Sequence, residues 1–308
     1  MKINVLSVGT LGPLLLSVAH QQGFFRKFGV DVEIAPVRGA RIPELTFSYS
    51  FGHIGAPAAV MLAAKGTDLR ILASFDTARL CRCLVVNPEI KEPEQLRGKR
   101  LGARVTGAAM WLHTVLALQH LGLRPTRDRI SIAEIGDSAD IVRALEALEI
   151  DGAVLARAQC ERLTRKGYSI LLDLFPLNLF GAPDALAVTA TFLRNHPEAA
   201  EAIVAGLIEG AAFVQSPRKR AVVLESIRSE MMITNTDGAK SGLLELSNII
   251  ARKPYPSIKR LCDMRHAMSM SNPALQEVAI EESIDDCFVR KLDEDQFIDR
   301  TYAAYGVI

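Results

Sequence analysis

A chain of 308 residues is long enough for about two domains, each able to bury its own apolar core. Apolar residues make up 49% of the chain and charged residues 23%, which argues against intrinsic disorder. Lysine and arginine number 36 against 35 for aspartate and glutamate, so we expect no nucleic-acid partner. We predict no membrane-spanning segment, because no apolar run reaches the roughly 20 residues that cross a bilayer.

The N-terminal stretch predicts a strand over residues 3–8 and a helix over residues 13–22. Pro13 suits the first helical position, because the N–H that proline lacks would have no partner there. Residues 1–19 also resemble a signal peptide, an interpretation that we disfavour because the strand and the helix account for the same residues. The chain is expected to be periplasmic if a leader preceded Met1 and cytoplasmic if Met1 is the native start.

The next part of the chain continues to alternate strands with helices. The predicted elements are a strand over 30–36, a polar loop over 38–41, a segment Phe51–Pro57 that leads into a helix over 58–65, and a strand over 69–74. Gly66 follows that helix directly, at the position where glycine ends helices.

The clearest pattern lies between residues 96 and 155. The predicted elements are a strand over 100–105, a helix that ends at Gly122, a strand over 130–134, a helix capped by Asp137 or Ser138, and a strand over 151–155. The apolar residues on the faces of the two helices are Trp111, Val115, Leu118 and Leu121, and Ile141, Ala144, Leu145 and Leu148. This alternation indicates a parallel sheet, in which ligands bind at the carboxyl ends of the strands.

The final third is predicted to be mostly helical. Prolines at 217, 254, 256 and 273 interrupt the helices. By resemblance to a known family, the chain is expected to return through residues 175–188, turn at 195–197 and enter a long helix, and residues 284–299 are expected to form a C-terminal helix.

Several of these segments carry a resemblance to a known family. The run "LRGKRLGARVTGAAMWLHTVLALQHLGL" with the later "EIDGAVL", the opening "GFFRKFGVDVEI" and the returning "FGAPDALAVTATFLRNHPEAAEAIVAGLIEGAAFV" resemble type II periplasmic binding proteins. The branch is the sulfonate-, taurine- and nitrate-binding family, also called the thiamine-pyrimidine-synthase-like family.

The resemblance implies an α/β fold of two lobes. Each lobe is expected to be a mixed, mainly parallel sheet flanked by helices, with the ligand cleft between the lobes. Lobe 1 is predicted over residues 1–84 and 176–308, and lobe 2 is inserted over residues 85–175.

Three stretches of small residues follow predicted strands and open predicted helices. They are Gly12-Pro13, Gly55-Ala56-Pro57 and Thr106-Gly107-Ala108. Free backbone N–H groups and the helix dipole favour an anion at such a position, although each stretch taken alone is also explained as a tight turn. Given the resemblance, we expect the three to converge into an uncharged cradle for an oxyanion.

Other polar or aromatic residues are candidate ligand contacts by position. They are Thr10, His53, Ser74, Trp111, Arg157 and Asp184, with Gln159 as an alternative to Arg157. Arg157 suits bidentate pairing with a carboxylate, but a solvated arginine explains it equally well. Asp184 either faces the cleft or caps a turn, and Trp111 either stacks on a ligand or, as we favour, packs in the core.

The five cysteines do not predict a metal site. Cys81 and Cys83 are the only close pair, and Cys160, Cys262 and Cys287 are scattered. We expect no metal and no cofactor, and interpret these residues as free thiols, which leans toward a reducing compartment.

Enzymes are known on the same scaffold, and their motifs are a poor match. The clustered cysteines of thiamine pyrimidine synthases have no equivalent in "LCRCLVV". The nucleophilic cysteine of aromatic sulfinate desulfinases would fall at Thr10 and their arginine near Ser50. We therefore predict a solute-binding protein that closes over a small organic anion (a sulfonate, carboxylate or heterocyclic acid) for an ABC-transporter permease. The alternative is a cytoplasmic lyase or hydrolase acting on an aromatic or heterocyclic acid.

Overall fold

The computed structural model describes most of the chain. The described residues are 2–7, 11–36, 51–76, 82–104, 109–136, 138–177, 183–230, 239–240, 243–244, 247, 249–269 and 272–307.

Two sheets form the framework, and each contains five strands among the described residues. The first sheet consists of β1 (Lys2–Ser7), β2 (Asp31–Pro36), β3 (Phe51–Gly55), β4 (Leu69–Ala73) and β10 (Asp184–Thr189). The second consists of β5 (Arg82–Val86), β6 (Arg100–Ala103), β7 (Ser131–Glu134), β8 (Gly152–Ala156) and β9 (Ser169–Asp173).

The two sheets repeat one topology. Their strand orders are β2-β1-β3-β10-β4 and β7-β6-β8-β5-β9. In the first sheet β10 runs antiparallel to both of its neighbours, and in the second β5 does the same. The outer pairings β1–β2, β1–β3, β6–β7 and β6–β8 are parallel. The prediction of an α/β fold with mixed, mainly parallel sheets is therefore confirmed.

Helices cover the sheets. In chain order they are α1 (Leu11–Gln21), α2 (Phe24–Lys27), α3 (Ala56–Ala64), α4 (Ala109–His120), α5 (Ser138–Glu146), α6 (Arg157–Thr164), α7 (Ala190–Asn195), α8 (Pro197–Gln215), α9 (Arg220–Glu230), α10 (Ile258–Ser269), α11 (Cys287–Glu294) and α12 (Phe297–Ala304). Short 3₁₀ turns lie at Pro93–Leu96, Pro217–Lys219, Pro273–Glu277 and Ile280–Ser283.

Both faces of each sheet are buried, as alternation along the central antiparallel strands shows. In β10, Leu186 and Val188 join the core that contains α1 and α8, whereas Ala185 and Ala187 join the core that contains α3 and α10. In β5, residues 84 and 86 face one core and residues 83 and 85 the other. The sequence of a strand that is covered on both faces is a continuous apolar run.

One buried cluster contains side chains from helices of both sheets, and we name it the interlobe cluster. It brings Trp111, Leu112 and Val115 of α4 together with residues of α3 and α10. Those partners include Ala56, Val60, Leu62, Leu261, Met264 and Met268. The helix that follows β6 therefore packs against the lobe built on the first sheet.

The structure corrects several sequence-based predictions. Leu148 was expected on the apolar face of α5, but α5 ends at Glu146 and Leu148 lies 69% exposed with a φ of 59°. The chain turns there because the N–H of Glu149 bonds back to the carbonyl of Ala144. The expected C-terminal helix is two helices, α11 and α12, separated at Gln296, which has a φ of 56°.

Two strands of the second sheet, β5 and β9, were not predicted as strands. The predicted lobe boundary between residues 84 and 85 falls inside β5, all of which pairs in the second sheet. Within the described residues, no single helix is both long and apolar enough to cross a bilayer. Only the bent pair Pro197–Gln215 and Pro217–Ser229 reaches that length and composition jointly.

Candidate functional site

The candidate site is organised by strands that run directly into helices. β3 ends at Gly55 and α3 begins at Ala56, while β8 ends at Ala156 and α6 begins at Arg157. The carboxyl ends of β1 and β6 lie beside these two junctions, because β1 is the parallel neighbour of β3 and β6 that of β8. The N-termini of α3 and α6 therefore lie at the carboxyl edges of their sheets, where α/β proteins bind ligands.

The N-terminus of α3 offers fewer backbone donors than its sequence implies. The N–H of Ala56 donates to the carbonyl of Pro183 at 2.7 Å, and Pro57 has no N–H. In any helix the first four N–H groups have no partner within the helix. The donor of this turn that remains for an anion is that of Ala58, because the N–H of Ala59 bonds within the helix.

Asp184, the first residue of β10, is surrounded by hydrogen-bond donors. Its Oδ1 accepts from the hydroxyl of Ser74 at 3.2 Å and from the backbone N–H groups of Phe75 and Asp76 at 2.7 and 3.1 Å. Its Oδ2 lies 2.6 Å from Nε2 of His53. Asp184 therefore holds the segment that follows β4, and the choice between facing the cleft and capping a turn stays a prediction.

His53 is buried, with 1% of its side chain exposed. Its ring lies edge-on to Phe75, with centroids 6.2 Å apart, and Asp184 accepts its Nε2–H. A catalytic histidine must reach a substrate proton directly or through one water. The burial of His53 beneath the Asp184 carboxylate fits a histidine that holds the carboxylate in place.

Asp76 and Arg260 extend this cluster, and sequence reasoning did not identify either. Asp76 accepts the N–H of Asp184 at 2.9 Å through Oδ2 and the guanidinium of Arg260 at 2.7 Å through Oδ1. Arg260 also donates to the Asp76 carbonyl at 3.1 Å. Burial, and then the charge of Asp184, raise the pKa of Asp76 to about 6 although Arg260 opposes the change.

The position of this cluster in the chain is informative. β4 ends at Ala73 and the chain next enters the second sheet with β5, whereas β10 begins at Asp184 on the way back. Asp76 and Asp184 therefore join the two points at which the chain leaves and re-enters the first sheet. We name Asp76, Asp184, His53 and Arg260 the hinge cluster.

Arg157, the candidate from the second sheet, has a protein partner. Its guanidinium pairs with Asp173, the last residue of β9, and 43% of its side chain is exposed. Gln159, the alternative, turns back so that its Oε1 accepts the N–H of Ala156 at 3.3 Å. Arg157 has to exchange Asp173 for a ligand if it binds one.

Of the predicted site residues that are described, the structure brings several together in the first lobe. These are His53, Ser74 and Asp184, which share hydrogen bonds, and Gly55, which pairs with Asp184 between β3 and β10. Trp111 lies in the interlobe cluster with Ala56, so the preference for a packing role agrees with its 8% exposure. Gly12 and Pro13 lie in the first turn of α1. Thr10, Thr106, Gly107 and Ala108 lie outside the described residues.

A small crevice adjoins the hinge cluster. Its empty volume is about 160 Å³, and its lining includes Ser74, Pro183, Asp184 and Ser257. Pockets that hold small organic ligands measure roughly 300–1,000 Å³. The crevice is therefore a packing gap, and the hinge cluster is not itself a ligand pocket in this conformation.

Comparison with known proteins identifies relatives for most of the chain. The sequence model of the NMT1/THI5-like family matches residues 14–220. The taurine-binding periplasmic protein of Escherichia coli (strain K12) is 26% identical over 160 residues, which are 51% of this chain and 48% of that protein. The match thus spans about half the length of this curated relative.

Solved structures share the fold across nearly the whole chain. A putative sulfonate ABC transporter component, the periplasmic sulfonate-binding protein SsuA from Methylobacillus flagellatus KT, superimposes with a TM-score of 0.73 at 17% identity, covering 96% of this chain and 95% of that one. The desulfurization enzyme DSZB superimposes with a TM-score of 0.67 at 14% identity, covering 96% and 99%. The fold therefore hosts both binding and catalysis, and the choice between them depends on the residues of the site.

Proposed function

We propose, because the chain belongs to the NMT1/THI5-like family, that it is a solute-binding protein whose two lobes close over a small organic anion. The observation that carries the proposal is the strand-to-helix junction described on each sheet, at Gly55-Ala56 and at Ala156-Arg157, together with the packing of α4 against α3 and α10. The helix N-termini supply a positive potential without a fixed charge, which suits an oxyanion.

The chemistry of the ligand follows from this arrangement. Backbone N–H groups donate to carboxylates and sulfonates alike, and Arg157 is a side-chain cation at the junction after β8. The relative from Escherichia coli is named for taurine and the relative from Methylobacillus for sulfonates. We therefore place sulfonates first among the candidate ligands and carboxylates second.

The polar residues of the hinge cluster argue against the enzyme alternative. The Asp184 carboxylate already accepts from His53, Ser74 and two backbone N–H groups, so it has little capacity left to accept a substrate proton. A general base needs a free acceptor within hydrogen-bond reach of the substrate. A binding role, with this cluster as a structural joint, accounts for the same contacts.

The partner that this function requires is a membrane permease of the ABC class. We infer this partner from the structural neighbours, which include a component of a sulfonate ABC transporter. Export of the chain to the periplasm is part of the same proposal.

The first experiment separates binding from catalysis. Purified protein is incubated with a mixture of sulfonates, carboxylates and heterocyclic acids, and mass spectrometry follows both the retained compounds and the solution over time. One compound retained and recovered unchanged is the expected result. A compound that disappears while a new mass grows in would establish an enzyme and overturn the proposal.

A matched pair of variants tests the site. Thr106→Asp places a negative charge at the junction after β6 and is expected to weaken binding of the retained anion at least a hundredfold or so. Thr126→Asp adds the same charge at an exposed turn of the same lobe and is expected to leave binding unchanged. Equal affinity of the parent and Thr106→Asp would show that the ligand binds elsewhere.

Tryptophan fluorescence can report the closure of the two lobes. Trp111 is the only tryptophan of the chain and lies in the interlobe cluster. Separation of the lobes changes its surroundings, so ligand addition is expected to change its fluorescence in parallel with binding. Binding without any change in emission would argue against closure at this cluster.

A further inference from the structure

Two cysteines that are far apart in sequence meet inside the second lobe. Cys83 lies in β5 and Cys160 in α6, the helix that packs on β5, and both are buried. The thiol of Cys160 lies 3.5 Å from the carbonyl oxygen of Cys83 and 3.7 Å from that of Leu155. Both side chains belong to the same buried cluster of the second lobe.

The surroundings of the pair shift the pKa values of the two thiols in opposite directions. The neighbouring Cys83 side chain lowers the pKa of Cys160 against the effect of burial, and the positive charge of Arg82 acts in the same direction. The Cys160 side chain, and then burial, raise the pKa of Cys83, whose thiol donates to Asp173 with a sulfur–oxygen distance of 3.7 Å. These shifts belong to the folded lobe, in which both thiols are buried.

We propose that Cys83 and Cys160 are a site of covalent modification at which an intramolecular disulfide ties α6 to β5 under oxidising conditions. The contact between the side chains provides the proximity that a disulfide needs, and rotation about the side-chain bonds brings the sulfurs to bonding distance. Cys262 and Cys287 lie on α10 and α11 of the other lobe, so they do not compete for either sulfur.

The oxidant in this proposal is a disulfide, such as oxidised glutathione. Before α6 docks, one of the two cysteine thiolates attacks one sulfur of the oxidant and forms a mixed disulfide, releasing one thiolate. The other cysteine gives up its proton and displaces the second thiolate, closing the intramolecular bond. Two protein thiols are oxidised by two electrons in all, and the oxidant is reduced to two thiols.

Because 1% of Cys83 and none of Cys160 is exposed, the exchange has to precede the docking of α6. The test therefore refolds the full chain, reduced and unfolded, in a buffer of oxidised and reduced glutathione. The refolded protein is then unfolded in denaturant without a reductant so that all free thiols are alkylated, and it is digested without reduction for mass spectrometry. We expect one cross-linked peptide pair that joins Cys83 to Cys160, with the remaining cysteines alkylated.

Variants and melting temperature give a second measurement. Cys83→Ser and Cys160→Ser should each lose the cross-linked peptide pair, whereas Cys287→Ser, which changes an exposed cysteine, should keep it. The disulfide closes a loop that contains most of the second lobe, so oxidised protein should melt roughly 5 °C above reduced protein.

Two outcomes overturn the proposal. One is natively refolded protein in which both Cys83 and Cys160 are alkylated, and the other is a disulfide that joins a different pair. Because the peptide map of the unaltered chain decides between them, the test stands even if a serine variant fails to fold.

Discussion

Replacing Asp76 with asparagine is expected to remove a pH dependence of the free energy of unfolding that arises in the hinge cluster. Burial and the neighbouring Asp184 raise the pKa of Asp76 from 3.8 to about 6. For a carboxyl whose folded pKa is raised, the stability contribution is fully present below the unfolded pKa and is lost as pH rises through the folded pKa. Asp76 therefore costs the folded state increasing free energy between pH 4 and pH 7 or so.

The magnitude follows from the two pKa values. They differ by about 2, and each pKa unit corresponds to about 1.4 kcal/mol, so the cost approaches about 3 kcal/mol. Only 21% of the Asp76 side chain is exposed, so solvent screening reduces this value little. Asparagine resembles the protonated carboxyl, so Asp76→Asn should match the parent near pH 4 and be more stable near pH 7.

The assay is urea unfolding of both proteins from pH 4 to pH 7, with the difference between their free energies of unfolding plotted against pH. The difference cancels the contributions of other carboxyl groups, such as Asp128, Glu146, Glu281 and Asp293, whose pKa values are lowered by their partners. A difference that stays constant over this range would refute the reasoning. A lower stability of Asp76→Asn at pH 7 would show that the contact with Arg260 outweighs the desolvation of the carboxyl.

Three further substitutions test the fold and the site. Asp184→Ala leaves four donors without their acceptor and should lower the free energy of unfolding by about 3 kcal/mol, whereas Asp184→Asn keeps an acceptor and should cost about half as much in urea melts. His53→Ala should leave ligand affinity within about threefold by calorimetry, since the ring lies buried behind Asp184, and loss of a measured turnover would contradict the binding role. Gly152→Ala places a methyl group 2.8 Å from a methyl of Val86 and 2.9 Å from a backbone carbonyl. Thermal melts should therefore show a decrease of roughly 1–3 kcal/mol in the free energy of unfolding. An unchanged Tm would mean that β5 shifts to make room for the methyl group.

The elements with strong periodicity were predictable from sequence. The apolar residues at helical spacing around Trp111 became the buried face of α4, and the alternation of strands and helices gave the parallel order of β6, β7 and β8. β5 and β9 were missed because short apolar runs do not distinguish a buried strand from a helix. Leu148 was misplaced because the apolar spacing of α5 continues past Glu146, where the helix ends.

The candidate site was predictable only in part. The junctions at Gly55 and Arg157 follow from small or polar residues placed directly after apolar strands. The contact of Asp76 with Arg260 spans 184 positions, and no local pattern records such a pairing. One signal was present, since Asp76 ends the run "LRILASFD" where the chain turns toward the second sheet.

The position of β10 between β3 and β4 has a consequence for synthesis on the ribosome. β4 joins the first sheet through β10, which emerges only after the whole second sheet has been made. The second sheet comes from one continuous segment, residues 82–173, and has no such dependence. Domains usually fold in the order in which they emerge, N-terminal first. Here the inserted lobe can fold while β4 still lacks the strand that joins it to β3, so a chaperone that acts during translation would meet the N-terminal lobe and not the inserted one.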